Sequence, residues 1–372
     1  MFRRLPHTLP ADPVFPADLE SLGFFVNEQD QIRLIKNPAQ KYQYQINKND
    51  RVNQVWKQAN NDAVYEIVQD RLSNLGLERV RLPLGATETD NHVPILVSKD
   101  LATKDRVIVF FGERHVEPGI LSWRVIGDEG IKVGSLQEFV SAALFTPTPT
   151  SQGTAPGIVI ANPCQLLWYR GGGRAMSVNA WQSLPRASAV HEPFRVDEAK
   201  NKIAANGDYR EHVAYVLEQV LPRLTKKGAK LDIVGIEYPG SEVVEYFALH
   251  WNPTWSSRVT GISLIEPQHK VQELLDGGFD DDSPEFIKFL SRRCRAYFVS
   301  SAAIETPIAG RELYGCNCYS SGEDSYQENA MVRCWRSVLD WFNVLYANPD
   351  HEEIEFVTVD GSGQADEVKL GW

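Results

Sequence analysis

The chain has 372 residues, 43% of them hydrophobic and 23% charged, with nine Trp and sixteen Phe, which is material for a large buried core and excludes a disordered or low-complexity chain. A net charge of −11 works against direct nucleic-acid binding, because that affinity comes largely from Lys and Arg displacing counterions along the phosphates. Five cysteines, an odd number, are expected to be reduced thiols of a cytosolic or nuclear protein, and no apolar run is long enough for a signal peptide or a membrane span.

After a Pro-rich start, expected to be a tail over residues 1–14, the run LGFFVNEQDQIRLI places two β-rich segments around a polar turn and reads as a hairpin. A long amphipathic helix follows from Asn49 and Asp50, with Val52, Val55, Trp56, Ala59, Ala63, Val64, Ile67, Val68 and Leu75 at helical spacing, and Gly76 stops it. Short strands are expected at 80–82 and 93–97, then a buried strand in RVIVFFG, a helix in GSLQEFVSAALF and another buried strand in PGIVIANP. Residues 163–206 interrupt the rhythm as an insertion, either a lid or a packed excursion anchored by Trp168, Tyr169 and Trp181.

From there helix and strand alternate. A helix over 208–227 precedes a strand over 230–235, a helix over 241–250, a strand over 258–265 and helical pieces reaching 290. A strand over 296–300, a helix over 329–346 and a last strand in EIEFVTV complete the pattern, and the residues after Asp360 read as a polar tail. Such alternation implies a mostly parallel twisted sheet with helices on both faces, in one domain over 15–360 with an N-terminal hairpin and helix as its extension. Arg292, Arg293 and Arg295 in SRRCR suit a helix end rather than a nucleic-acid patch.

The chemistry-bearing stretch is KLDIVGIEYPGSEVVEYF, where a strand, a Gly-x-x-x-x-Gly turn and a helix have the grammar of a nucleophile elbow with Glu237 at the apex. On the hydrolase chain order of nucleophile, acid and histidine, Glu305 in AAIETPIAG takes the acid position. The loop GCNCYSSGEDSYQEN before the last helix holds no histidine. A carboxylate nucleophile needs no base for attack, but hydrolysis of the ester it forms does. His269 in LIEPQHK is the alternative base. The loop FFGERHVEPG stands where oxyanion donors belong; it keeps Gly112 but brings Glu113, which opposes a developing negative charge, and Arg114, while His115 reads as a surface residue.

YRGGGR, with Arg170 and Arg174 flanking three glycines, is either an anion-binding nest or a flexible turn, and it fits neither the P-loop nor the dinucleotide pattern. The Cys-x-Cys of Cys316 and Cys318 has no second pair and no companion His-x-x-x-His, so no metal site is expected. No cofactor motif is present in the sequence.

Several of these stretches together resemble one family. LESLGFFVNEQDQIRLIKNPAQKYQYQI, HVPILVS, GERHVEPGILSWRV, IVIANPCQ, the elbow, ISLIEPQH, CRAYFVSSAAIETPI and GCNCYSSGE occur in the order found in the Arb-type domain, over about residues 15–347. It is the domain of Argonaute-binding protein two, of the animal proteins called family with sequence similarity 172, and of the C-terminal part of fungal class II histone deacetylases. The resemblance implies an α/β-hydrolase-like fold in which some members keep a serine at the position of Glu237 and a histidine at that of Tyr326. An Asp-Ser-x-His pattern is represented here by Glu266-Pro267-Gln268-His269.

The resemblance also implies a non-enzymatic role with protein partners, in an Argonaute-type small-RNA complex or in histone-deacetylase-linked heterochromatin, in the nucleus or the cytoplasm. Catalytic residues are therefore not expected. Gly112, Glu113, Arg114, Arg170, Arg174 and Trp168 are the candidate binding residues. The alternative is a hydrolase of esters or amides using Glu237, or a serine outside the elbow such as Ser177.

Overall fold

In the computed structural model, residues 9–145, 155–188, 191–276, 285–358 and 365–366 are described. The hairpin forms as expected, with β1 (Phe24–Val26) antiparallel to β2 (Ile32–Leu34). A third strand, β3 (Asn37–Lys41), joins β2; its sequence NPAQK holds no β-branched or aromatic residue to announce it. Helix α1 (Asp50–Asn74) begins where Asn49 accepts the Arg51 N–H at 3.0 Å, and buries Val55, Ala59, Ala63, Val64, Val68 and Leu72. Gly76, at φ +95°, ends it.

The main chain order then runs β4 (Leu77–Leu82), β5 (Val93–Ser98), β6 (Arg106–Phe111), α2 (Trp123–Asp128), α3 (Gln137–Phe145) and β7 (Gly157–Ile160). Residues 163–206 contain the hairpin β8 (Leu167–Tyr169) and β9 (Arg174–Met176) with α4 (Val178–Gln182) and α5 (Glu198–Asn201). Met176, Ala180, Trp181 and Leu184 form a small apolar cluster of their own within it. Next come α6 (Tyr209–Tyr215), a π-helical stretch (Val216–Val220), α7 (Leu221–Leu224), β10 (Lys230–Ile236), α8 (Glu237–His250), α9 (Pro253–Arg258) and β11 (Val259–Ile265). The chain closes with α10 (Val271–Asp276), α11 (Glu285–Arg293), β12 (Cys294–Phe298), β13 (Pro307–Ile308), α12 (Arg311–Tyr314), β14 (Asn317–Ser320), α13 (Ala330–Ala347) and the pair β15 (Val357–Thr358) and β16 (Ala365–Asp366).

Nine strands form one sheet in the order β13-β14-β12-β11-β10-β6-β7-β5-β4. The run from β14 to β7 is parallel, and β13, β5 and β4 pair antiparallel at its edges. Side chains alternate across the sheet, so Ile108, Phe110, Ile158, Ile160 and Val234 pack on one face with α1, α3 and α13. Val107, Val109, Val159, Leu231 and Ile233 pack on the other with α6, α7, α8 and α11. The fold is α/β-hydrolase-like, with helices on both faces.

Two expectations need correction. The loop GCNCYSSGEDSYQEN is not loop throughout, because Asn317–Ser320 is the buried strand β14; the run has a Cys and a Tyr but little β-branched signal. EIEFVTV adds no strand to the main sheet. The outer edge of β14 is taken by β13, and among the described residues Val357–Thr358 pairs with Ala365–Asp366. Apart from β16, the tail after Asp360 lies outside the described residues. Asp12, within the expected N-terminal tail, is ion-paired to Arg51 at 2.7 Å.

Candidate functional site

The crossing of β10 and α8 is built on two glycines. A Cβ on Gly235 would stand 2.4 Å from the Gly240 Cα, and one on Gly240 would stand 2.6 Å from the Gly235 carbonyl carbon, so no other residue fits at this crossing. The turn between them forces Glu237, the first residue of α8, to φ +48°. For an L-residue that conformation costs about 1–2 kcal/mol. Glu237 is therefore the apex of an elbow at the C-terminal edge of the sheet, where the elements after the strands converge.

Ser241, one turn into α8, ties this apex to the loop after β11. Its hydroxyl donates to the Glu237 carbonyl at 3.0 Å and accepts the N–H groups of Gln268 at 2.6 Å and His269 at 3.0 Å. Glu266, at φ +51°, and Glu305, at φ +64°, sit in the same left-handed region beyond β11 and β12. Two neighbouring parallel strands, β10 and β11, thus end directly in strained glutamates, a concentration typical of sites where geometry is held for function.

The loop after β6 brings Glu113 and Arg114 to the apex. Burial, then the charges of Glu237 and Glu328, push the Glu113 carboxyl up to about 7, with Arg114 opposing. Burial also raises Glu237, again against Arg114. Burial raises Glu266 as well; the Val299 N–H and the Gln327 side-chain amide, at 3.1 Å, oppose it. The Arg114 guanidinium lies 3.9 Å from the Tyr238 ring centroid and 5.7 Å from that of Tyr209, a stack that holds a cation beside Glu237. The opposite rim carries a second stack, Arg124 over Tyr326 at 3.9 Å, with Arg124 also bound to Glu328 at 2.6 Å.

The residues singled out in the sequence fall into separate environments. Glu305 is not the partner of Glu237. Its backbone N–H bonds the Ser320 carbonyl, which carries it along β14, and its exposed carboxylate lies 3.9 Å from Arg295. The carboxylates whose charge interacts with Glu237 are Glu113 and Glu266; the sequence names Glu266 only within the Glu266-Pro267-Gln268-His269 pattern, and Gln327 and Glu328 only within the long loop before α13. Non-local contacts bring them in, and the strongest sequence cue was the position of Glu266 directly after a buried strand. Tyr326 is exposed, with its backbone N–H on Glu323.

His269 is buried, and its Nε2 lies 3.0 Å from the Tyr314 carbonyl, which commits its proton to the main chain. Burial lowers its pKa to about 4. Ser177 caps α4 by accepting the Ala180 N–H at 3.1 Å and donates at 3.0 Å to the buried Glu117, so its hydroxyl is engaged in both directions. Gly112 leads into the Glu113 loop, and His115 is exposed.

Arg170 and Arg174 flank the turn of the β8–β9 hairpin, with Gly173 at φ +58°, Arg170 exposed and Arg174 3.5 Å from Asp62. Trp168 is buried beside His92, at 4.8 Å between ring centroids, and its carbonyl accepts from Asn201. The five cysteines are free and buried, and among the described residues no group of His, Cys, Asp and Glu is placed to hold a metal ion.

A family model described as the Arb2 domain matches residues 15–304. The cotranscriptional regulator ARB2A of Mus musculus is 21% identical over 353 residues, covering 87% of this chain and 78% of that one. The ARB2A homolog of Xenopus tropicalis is 22% identical over 356 residues, with 87% and 78% covered. Among solved structures, a histone deacetylase from Saccharomyces cerevisiae is similar with a TM-score of 0.44 at 12% identity, covering 76% of this chain and 95% of that one. With the model spanning most of its length, the chain belongs to the Arb2-domain family.

Proposed function

We propose that this chain is a non-catalytic interaction module on an α/β-hydrolase frame, serving protein partners in nuclear gene regulation, in Argonaute-linked small-RNA silencing or in histone-deacetylase-linked heterochromatin. The observation that carries the reading is the apex. A carboxylate stands at the apex, Tyr326 corresponds by family resemblance to the position of the histidine, and burial lowers the His269 pKa to about 4, far below that of a working general base. Without a histidine base, a mixed anhydride formed by attack of Glu237 on an acyl group would have no imidazole to activate its hydrolytic water. The ARB2A relatives, named as cotranscriptional regulators, support the nuclear setting. No helix among the described residues is long and apolar enough to cross a membrane.

Purification of the tagged chain from nuclei should co-elute Argonaute-type or deacetylase-complex subunits, and Glu237→Gln should leave that recovery intact. Absence of both classes from the eluate would overturn the reading.

One observation favours a second reading. Glu113, with its carboxyl near 7 and coupled to Glu237, has the proton affinity of a general base. In that reading the Glu237 carboxylate attacks the acyl carbon to form a mixed anhydride while protonated Glu113 gives its proton to the departing alcohol or amine, and the Glu113 carboxylate then takes a proton from the water that cleaves the anhydride.

A further inference from the structure

After α13 the chain turns at Pro349 and Asp350 and runs without regular secondary structure over residues 351–356, across a face made by α11, β12, α12 and β14. That face is rich in arginine, and the segment crossing it is rich in glutamate. Arg292 binds Glu352 at 2.7 Å, Arg295 donates through Nε to Glu353 at 3.0 Å, and Arg311 binds Glu355 at 2.7 Å. Glu353 is buried and also accepts from Tyr319 at 2.7 Å and from the Trp341 indole at 3.0 Å.

The face reads the backbone as well. Arg293 donates to the carbonyls of Pro349 at 2.8 Å and His351 at 2.7 Å, the Asn317 amide donates to the Ile354 carbonyl at 2.6 Å, and the Arg292 carbonyl accepts the Glu353 N–H at 2.9 Å. We propose that this arginine face is a docking groove for an extended acidic segment of a partner protein, and that residues 349–355 occupy it in cis as a displaceable strap.

The bonding pattern identifies the occupant as a peptide, because four contacts go to main-chain groups that a nucleic acid or a lipid headgroup lacks. Over residues 349–355 the hold is polar, while the next residue, Phe356, packs edge-on against Tyr319 at 6.2 Å between ring centroids. Ile354 is 63% exposed, and the pairs at Glu352 and Glu355 are solvent-facing and contribute little each. The anchor is one side chain, Glu353. Removing Glu353 would leave the buried Arg295 cation with only the exposed Glu305 carboxylate, at 3.9 Å, but exchanging Glu353 for a partner's carboxylate preserves the close pair. Between α11 and the strap an open cleft remains, lined by Lys288, Phe289, Arg292 and Arg293 and by residues 349–352 of the strap itself, and Lys288 has no ion-pair partner among the described residues. A partner segment longer than the strap would find a further cation there.

The test uses the full chain and a fluorescent peptide with the sequence of residues 349–355, followed by anisotropy. In the variant carrying Glu352→Arg and Glu355→Arg, the strap is weakened at its exposed pairs. This variant should bind the peptide about tenfold more tightly than the natural chain, given the modest strength of such pairs. Adding Arg292→Glu and Arg311→Glu should abolish the gain, and a peptide with Gln in place of the Glu353 equivalent should fail to bind. On the natural chain, saturating peptide should speed hydrogen exchange at the Glu353 amide. Failure of both the affinity gain and the exchange change would make the strap a fixed part of the fold and end the proposal. Equal binding of a scrambled peptide, a short duplex RNA or an anionic vesicle would also overturn it.

Discussion

Gly235 and Gly240 meet at a distance that leaves no room for a side chain, and this contact is what bends the chain into an apex at Glu237. Gly235→Ala should therefore destabilise the fold by about 3 kcal/mol, the scale of overpacking in a closed contact, read as a lowered urea midpoint. This part of the site was legible in the sequence, because a glycine pair bracketing a strand-to-helix turn has few other uses. Glu113 was legible too, as part of the loop where oxyanion donors belong, but Glu328 was not, since it comes from the turn before α13 and only the sheet order brings it near Glu113.

The titration of Glu113 offers a direct check. The folded carboxyl near 7 lies above the ordinary value of 4.5, so the folded state holds the proton more tightly. The associated stability is fully present below about 4.5 and is lost as pH rises through 7. Glu113→Gln should remove that slope, matching the natural chain at pH 4 and exceeding its melting temperature at pH 8.

Among the elements, the hairpin, α1 with its Asn49 cap and the alternation of buried strands and helices were readable because each carries a local period or a cap. The segment EIEFVTV reads as a strand for the same reason, and it forms one only at its end, Val357–Thr358, outside the main sheet. Its alternation is that of a strand throughout, but Glu353 and Glu355 are drawn to Arg295 on β12 and Arg311 on α12. Burial alone would raise the Glu353 carboxyl, but Arg295, with the Tyr319 and Asn317 donors, outweighs burial and holds it below the usual carboxylate range. A depressed folded value contributes stability that is present above the unfolded pKa and lost as pH falls through the folded one. Glu353→Gln should therefore cost about 3 kcal/mol near neutral pH, as breaking a buried pair does. The difference from the natural chain should shrink as the medium is acidified below the ordinary carboxylate range, which paired thermal melts would show.

At the scale of the whole molecule, a −11 charge and a site edged by Glu113, Glu237, Glu266 and Glu328 suit protein partners better than phosphates. Short duplex RNA should bind weakly, with an affinity that collapses between low and moderate salt in a titration followed by gel shift. The hydrolase frame itself was legible from the strand and helix alternation. Whether it works as an enzyme depends on a base, and the sequence could show only that the expected histidine was missing from one loop. The direct test is turnover of a p-nitrophenyl ester by the natural protein alongside Glu237→Gln and Glu113→Gln. The account predicts no release of p-nitrophenol above the buffer rate in any of the three, and turnover by the natural protein that either substitution abolishes would contradict it.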